Sequence, residues 1–139
     1  KTPIFSRRPP LLFLDEEVEF YKNTEKPNTI DGASGLVERE AVAIKELYNL
    51  TLVIIVIPNK LTIYGDTVFV DTPYDQYIPR LQSALARRNV SFIDIFGEFT
   101  EYRKHYPQEM LYYAGDTHYT PRGKKILINA ITQRINNQK

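Results

Sequence analysis

The segment Leu50–Ile57 constrains the fold of this chain more than any other part of the sequence. It is a continuous run of apolar and β-branched residues that ends at Pro58. A run of this kind favours a strand that is buried on both faces of a parallel sheet. The apolar stretch inside it is far shorter than the roughly 20 residues of a membrane-spanning helix. We therefore predict a central strand here and no membrane span.

The segments on either side of this strand alternate between helical and strand patterns. Val90–Phe96 reads as a second strand, and the stretches between and beyond the strands carry apolar residues at helical spacing. Three starts have an N-cap or a first-turn proline, and one opens at a glycine. The predicted helix starts are Ser34 as an N-cap, Thr72-Pro73, Gly97 and Thr120-Pro121. This order predicts an α/β domain with right-handed crossovers and helices on both faces of the sheet.

The length of 139 residues suits a single domain, which we place at residues 1–139. Prolines interrupt residues 1–33, so we predict an irregular amino-terminal segment with at most one short helix. Residues 34–139 form the predicted α/β portion, in which we predict a polar loop with a possible short turn at residues 58–72. Only two strands are evident, whereas a typical sheet has about 5 to 6. Either the amino-terminal segment contains further strands, or part of the sheet lies outside this chain.

Composition excludes several classes of function. Eighteen basic and seventeen acidic residues leave a net charge of +1, without a basic stripe of the kind that binds nucleic acid. The chain has no cysteine, which removes disulfides, thiolate metal sites and a cysteine nucleophile. It begins with Lys1 rather than Met, so we expect it to be processed or part of a longer chain.

The most informative motif is Asp116-Thr117-His118. In an extended loop the side chains at positions i and i+2 point the same way, so carboxylate and imidazole would lie side by side. An aspartate bound to one ring nitrogen fixes the histidine tautomer and leaves the other nitrogen free to accept a proton from a hydroxyl. Asp116 and His118 are therefore the candidate catalytic residues, with Asp116 as orienter and His118 as base.

Other interpretations of these residues stay open. A loop histidine beside aspartate is often only a surface hydrogen bond, and a metal would need a third or fourth ligand that the nearby sequence does not supply. We therefore predict no metal and no cofactor. His105, the second histidine, ends a short predicted helix, where a cation complements the helix dipole.

Three segments together resemble the SGNH, or GDSL-like, hydrolase superfamily over roughly residues 40 to 135. The stretch from Tyr113 to Gly123 is similar to the Asp-Thr-His-Trp-x-x-x-Gly form, found in the branch that includes alginate O-acetyltransferases; Tyr119 replaces the tryptophan. Val56–Tyr64 resembles the strand-Pro-x-Lys-x-x-x-Tyr segment of that branch, and Val90–Ile95 resembles its second strand.

The resemblance implies a three-layer, flavodoxin-like α/β domain that uses Ser-His-Asp chemistry for ester hydrolysis or acyl transfer. The family's Gly-Asp-Ser block has no clear match in this chain. Ser34 in Asp31-Gly32-Ala33-Ser34-Gly35 is the nearest approach, but no apolar strand leads into it, and we interpret it as an N-cap. The serine is therefore expected in a part of the parent protein outside this chain.

Lys60 and Tyr119 are the candidate substrate-binding residues. Lys60 would lie at the carboxyl end of the central strand, where open α/β sheets bind ligands, although a solvated loop lysine fits equally well. Tyr119, with Tyr112 and Tyr113, could stack on sugar rings, and at least one of the three is expected in the core.

Two functions follow. The first is a carbohydrate O-acetylesterase or O-acetyltransferase acting on an acylated carbohydrate or another small ester, and an extracytoplasmic location goes with that branch. The second is a non-catalytic or truncated SGNH-like module that binds a glycan or a partner protein.

Overall fold

The computed structural model describes residues 11–23, 28–67 and 77–137. Six helices and two strands lie in these ranges, together with a 3-10 turn at Gly65–Thr67. No helix in these ranges has the length and apolar character to span a bilayer. In chain order the elements are α1 Asp15–Asn23, α2 Asn28–Tyr48, β1 Val53–Ile55, α3 Lys60–Tyr64, α4 Tyr77–Arg87, β2 Ser91–Ile93, α5 Ile95–His105 and α6 Pro121–Asn136.

The two strands form a parallel pair, as the sequence predicted. Val53 pairs with Ser91 and Ile55 pairs with Ile93, and α4 provides the crossover between the strands. Both strands are shorter than predicted, and the expected burial of β1 on both faces is wrong. Ile55 is 39% exposed and Ile57 is 49% exposed, because β2 is the only strand that pairs with β1 in the described part of the chain.

Helix α2 begins before the predicted N-cap. Ser34 lies in the interior of the helix, fully buried, and its hydroxyl donates to the carbonyl of Ile30 at 2.8 Å. The Arg88 guanidinium donates to Ser34 at 3.2 Å and forms 2.6 Å ion pairs with Asp31 and Glu38. These contacts join the carboxyl end of α4 to α2, which is longer than its apolar pattern indicated. The amino-terminal segment is also less irregular than predicted, since it contains α1 and the first turn of α2.

Two helix starts differ from the prediction, and each is capped by a short polar side chain. Asn59 caps the five-residue helix α3, where a polar loop with a possible short turn was predicted, and its Oδ1 accepts from the Thr62 amide at 2.7 Å. Asp94 caps α5 by accepting from the Gly97 amide at 2.8 Å, so α5 starts two residues before the predicted Gly97. The predicted start at Thr72-Pro73 lies outside the described residues.

The start of α6 is as predicted. Thr120 is its N-cap, accepting from the Gly123 amide, and Pro121 occupies the first turn. The Thr120 hydroxyl also donates to the carbonyl of Met110 at 2.7 Å. Gly123 is needed for close approach, because a Cβ at this position would lie 2.3 Å from the carbonyl oxygen of Leu111. Helix α6 is therefore fixed closely against the segment that leads into the Asp116–His118 loop.

A buried hydrophobic cluster lies between α3, β2, α5 and the segment before α6. Apolar side chains of α6 pack against it, as do Leu11 and Phe13 from the amino-terminal segment. The buried members of the cluster are Ile63, Tyr64, Ile93, Ile95, Phe99, Leu111 and Tyr112. The core therefore lies directly beneath the loop that carries the candidate catalytic pair.

Candidate functional site

The candidate site is a loop closed at its base by backbone hydrogen bonds. Tyr112 and Tyr119 form an antiparallel bridge, and the Tyr113 amide donates to the carbonyl of His118 at 3.0 Å. Just outside this bridge, the Thr120 amide donates to the carbonyl of Leu111 at 2.9 Å. The chain between these bonds turns back on itself, so residues 114–118 form the tip of a short hairpin.

Asp116 and His118 meet at the tip of this hairpin. The carboxylate oxygen Oδ1 of Asp116 lies 2.6 Å from Nδ1 of His118 and accepts from the His118 backbone amide at 3.0 Å. The same oxygen thus holds both the ring and the main chain of His118. The sequence predicted that an extended backbone would bring the side chains together. Instead, the aspartate side chain bonds to the backbone two residues ahead and forms an Asx-turn.

The electrostatics of the pair fix the expected tautomer. The hydrogen bond from the His118 ring, helped by that from the His118 amide, lowers the pKa of Asp116 below its ordinary value. An ionised carboxylate can only accept, so Nδ1 of His118 carries the proton between them. The other ring nitrogen, Nε2, is then the free basic position. The His118 side chain is 78% exposed, which leaves Nε2 open to an incoming group.

Lys60 lies beneath this loop and is fully buried. Its ammonium donates to the carbonyls of Leu12 and Ala114 at 2.6 Å each, and to the carbonyl of Asp116 at 3.1 Å. Burial lowers the pKa of Lys60, while the nearby carboxylates of Glu17 and Asp116 raise it. All three ammonium protons are used inside the protein. Substrate contact by Lys60 stays a prediction, and this geometry does not favour it.

The amino-terminal segment takes part in the site, which sequence reasoning missed. The Leu12 amide donates to the carbonyl of Ala114 at 2.9 Å, and the Leu12 carbonyl accepts from Lys60. Leu12 therefore bonds to the loop and to the lysine beneath it with its two backbone groups. Leu12 belongs to the short apolar run Leu11–Leu14 between prolines and an acidic helix, and such a run has no pattern that would reveal a backbone contact of this kind.

Two tyrosines at the base of the loop anchor it to the segment that follows β1. The hydroxyls of Tyr112 and Tyr119 both point to the carbonyl of Pro58, and burial raises the pKa of each phenol. Tyr112 is in the core, as expected for at least one tyrosine, and the half-buried Tyr119 ring packs on Phe99. Tyr113 is 48% exposed. Sugar stacking by Tyr119 stays a prediction, and Tyr113 has the more open ring.

Two of the three described serines are engaged within helices, and the third, Ser91, begins β2 at the amino end of the strand pair. The buried hydroxyl of Ser34 is bonded within α2 and to Arg88, which argues against a nucleophile there. The Ser83 hydroxyl donates to the carbonyl of Pro79 within α4. Within residues 11–23, 28–67 and 77–137, no group of three His, Asp or Glu residues is arranged to hold a metal ion.

A comparison with protein families matches residues 8–139 to the family described as "SGNH hydrolase-like domain, acetyltransferase AlgX". The chain belongs to this family. No curated protein and no solved structure matches the sequence. The predicted SGNH hydrolase-like α/β class is confirmed. With a single parallel strand pair in its described residues, this AlgX-family domain has an incomplete α/β sheet.

Proposed function

We propose that this domain supplies the Asp-His part of an SGNH-type site that hydrolyses or transfers an O-acetyl group on a carbohydrate. The observation that carries the proposal is the 2.6 Å contact between Asp116 Oδ1 and His118 Nδ1 on an exposed loop tip. The description of the matching family as an acetyltransferase supports the choice of acyl chemistry. The nucleophilic serine comes from a segment outside this chain.

In the proposed reaction His118 acts as a general base. Its Nε2 takes the proton from the serine hydroxyl while the serine oxygen attacks the ester carbonyl carbon. When the bond to the sugar oxygen breaks, the imidazolium returns that proton to the leaving oxygen, and the acetyl group stays on serine. Water or a second sugar hydroxyl then attacks the acetyl group, and its proton returns through His118 to the serine oxygen. Asp116 stabilises the imidazolium in both halves, and a base of this kind contributes roughly 10²- to 10⁴-fold in rate.

The open side of β1 is where we place the serine-bearing segment. Lys60 follows β1 closely in the chain and bonds to the Asp116 carbonyl, so the loop lies toward the carboxyl end of that strand. Ligands of open α/β sheets bind at these carboxyl ends. A further parallel strand beside β1 would cover Ile55 and Ile57, which are now exposed, and would end near His118.

Labelling with a fluorophosphonate probe tests the proposal. The probe is applied to the polypeptide that carries this domain together with its Gly-Asp-Ser segment, and we expect covalent labelling of that serine. The variant His118→Ala should abolish labelling. The matched control His105→Ala removes the other histidine, which contacts Glu101 on α5, and should label normally. A polypeptide that contains Gly-Asp-Ser and stays unlabelled contradicts the proposal.

A non-catalytic module is the second candidate. The commitment of the Ser34 hydroxyl to the interior of α2 favours it, since the serine that comes nearest to the family's motif in sequence is then not available for attack. This candidate predicts saturable glycan binding that His118→Ala leaves unchanged, without hydrolysis of small acetyl esters. Isothermal titration of the variant against an acetylated glycan separates the two functions.

The location and the partners belong to the same proposal. We propose an extracytoplasmic domain that meets an acylated carbohydrate and the remainder of its own SGNH-like sheet. Periplasmic fractionation of cells that produce the parent polypeptide tests the location, and recovery in the cytoplasmic fraction would contradict it.

A further inference from the structure

The burial of Lys60 calls for a physical explanation. A lysine ammonium is strongly hydrated, so full burial is unfavourable unless its charge and its protons are compensated inside the protein. Lys60 has 0% exposure, and its three protons meet the carbonyls of Leu12, Ala114 and Asp116. Three carbonyl oxygens arranged around one point suit an ammonium, which has three protons at a single nitrogen. The planar fork of arginine or a neutral side chain does not reproduce this arrangement.

Two of these three carbonyls belong to the loop tip. The 3.1 Å bond to the Asp116 carbonyl fixes the backbone of the residue whose carboxylate holds His118. The Ala114 carbonyl accepts from Lys60 and also from the Leu12 amide, so the amino-terminal segment is held against the same point. Gly115, between the two, has no neighbour within 4 Å of a Cβ position. Packing around Gly115 therefore does little to fix the tip.

We propose that Lys60 is a positioning residue, whose ammonium holds the Ala114 and Asp116 carbonyls and thereby keeps the Asp116–His118 pair aligned for proton transfer. The catalytic part of this inference rests on the proposed function, whereas the alignment of the pair does not. Lys60 acts through the backbone of the loop and does not touch the substrate. Its effect therefore falls on the rate of the chemical step and leaves substrate binding unchanged.

Amide hydrogen exchange in the chain itself is the first test. In Lys60→Met the side chain keeps a similar length but loses its protons and charge. We expect the Leu12 and His118 amides to exchange at least tenfold faster, because Leu12 donates to Ala114 and His118 donates to Asp116. The Arg88 amide at the end of α4 should be unaffected. The control Lys104→Met removes a lysine that is 68% exposed on α5 and should change neither loop amide. Unchanged exchange at His118 in Lys60→Met would overturn the inference.

Chemical rescue keeps the test decisive if Lys60→Met does not fold. The chain has no cysteine, so Lys60→Cys introduces a single thiol. Alkylation with 2-bromoethylamine in denaturant, followed by refolding, restores an ammonium at nearly the length of lysine. Alkylation with bromopropane restores a similar length without charge. Slow exchange at Leu12 and His118 with the first reagent alone supports the inference, and equal protection with both reagents overturns it.

Steady-state kinetics of the polypeptide that carries Gly-Asp-Ser provides the second test. We expect Lys60→Met to lower kcat for an acetyl ester at least tenfold with KM within twofold, and aminoethylation of Lys60→Cys to recover most of kcat. A rise in KM at constant kcat would indicate a substrate-binding lysine and overturn the positioning role. If the unaltered polypeptide is inactive, the proposed function fails, and hydrogen exchange still decides whether Lys60 aligns the pair.

Discussion

The loop between α5 and α6 is packed very differently from α2 and the residues in and around β1. Beneath the loop, Phe99 and Leu111 have 0% exposure and Tyr112 has 1%. On α2 and around β1, large apolar side chains are open to solvent. The exposed apolar residues of α2, β1 and the chain beside β1 are Leu36, Val42, Leu47, Tyr48, Leu50, Ile55 and Ile57.

This difference separates what the chain completes by itself from what it leaves uncovered. The loop is anchored to α3, β1, α6 and the amino-terminal segment, so its Asp116–His118 pair is held within this chain. The exposed apolar side chains of α2 and around β1, by contrast, are not covered by the described part of the chain. In the proposed SGNH-type site the Asp116–His118 pair is thus held in advance, whereas β1 pairs only with β2 in the described residues.

Truncation of a core side chain tests the contrast most strongly. Phe99→Ala removes a fully buried ring that contacts Tyr112 and Tyr119, and we expect the free energy of unfolding to fall by about 3–5 kcal/mol. Leu47→Ala, at a residue 72% exposed, should change it by less than about 0.5 kcal/mol. Urea denaturation measures both. Similar losses in the two variants would refute the contrast.

Removal of one hydroxyl tests the polar contacts beneath the loop. Tyr64 is 3% exposed, and its hydroxyl accepts from the Leu111 amide at 2.9 Å. Tyr64→Phe leaves that amide without its partner, which costs about 1–3 kcal/mol of unfolding free energy. Tyr113→Phe alters an exposed phenol and is the control. Equal urea midpoints for the two variants would argue against this hydrogen bond.

Two glycine substitutions sharpen the contrast through helix packing. Gly123→Ala places a methyl group against the Leu111 carbonyl, so we expect a loss of roughly 1–2 kcal/mol after the higher helix propensity of alanine is included. Gly32 in α2 has no atom within 4 Å of a Cβ position. Gly32→Ala should therefore raise the unfolding free energy by up to about 1 kcal/mol. Urea or thermal unfolding measures both changes in unfolding free energy, and we expect them to have opposite signs. An increase in both variants would show that α6 is loosely packed.

The smallest effect concerns the exposed carboxylate of the loop. The pKa of Asp116 lies below its ordinary value because the His118 ring and amide donate to it. Its contribution to stability is thus present above the ordinary pKa of about 3.9 and is lost as the pH falls through the lower folded value. We expect the midpoint of the Asp116 carboxyl, followed by carbon-13 NMR titration, to rise in His118→Ala. The midpoint should be unchanged in His105→Ala. A midpoint insensitive to His118→Ala would mean that the pair does not form.

The sequence predicts those parts of the structure that local patterns determine. Thr120-Pro121 starts α6 as predicted, because an N-cap and a first-turn proline act within one helical turn. The parallel pairing of β1 and β2 was also predicted, because a helix connects two apolar segments. The predicted start of α2 was wrong. Ser34 looks like a cap in the sequence, but it is buried and bonded to Arg88, which is distant in sequence.

The candidate site was predictable in its residues and only partly in its geometry. Asp116 and His118 are adjacent because their separation of two residues permits an Asx-turn, which is a local property. The environment of Lys60 depends on Leu12 and Ala114, which lie 48 and 54 positions away. Contacts of such long range are set by how the elements pack, and no spacing rule for lysine contains them.

Leu12 determines how far the amino end of this domain can be shortened. Both its backbone amide and its carbonyl are bonded at the hairpin, one to Ala114 and one to Lys60. A version that starts beyond Leu12 would leave a charged nitrogen short of an acceptor and a loop carbonyl short of a donor. The loop would then lose hydrogen bonds at its base through the removal of a segment that is remote in sequence from Asp116 and His118.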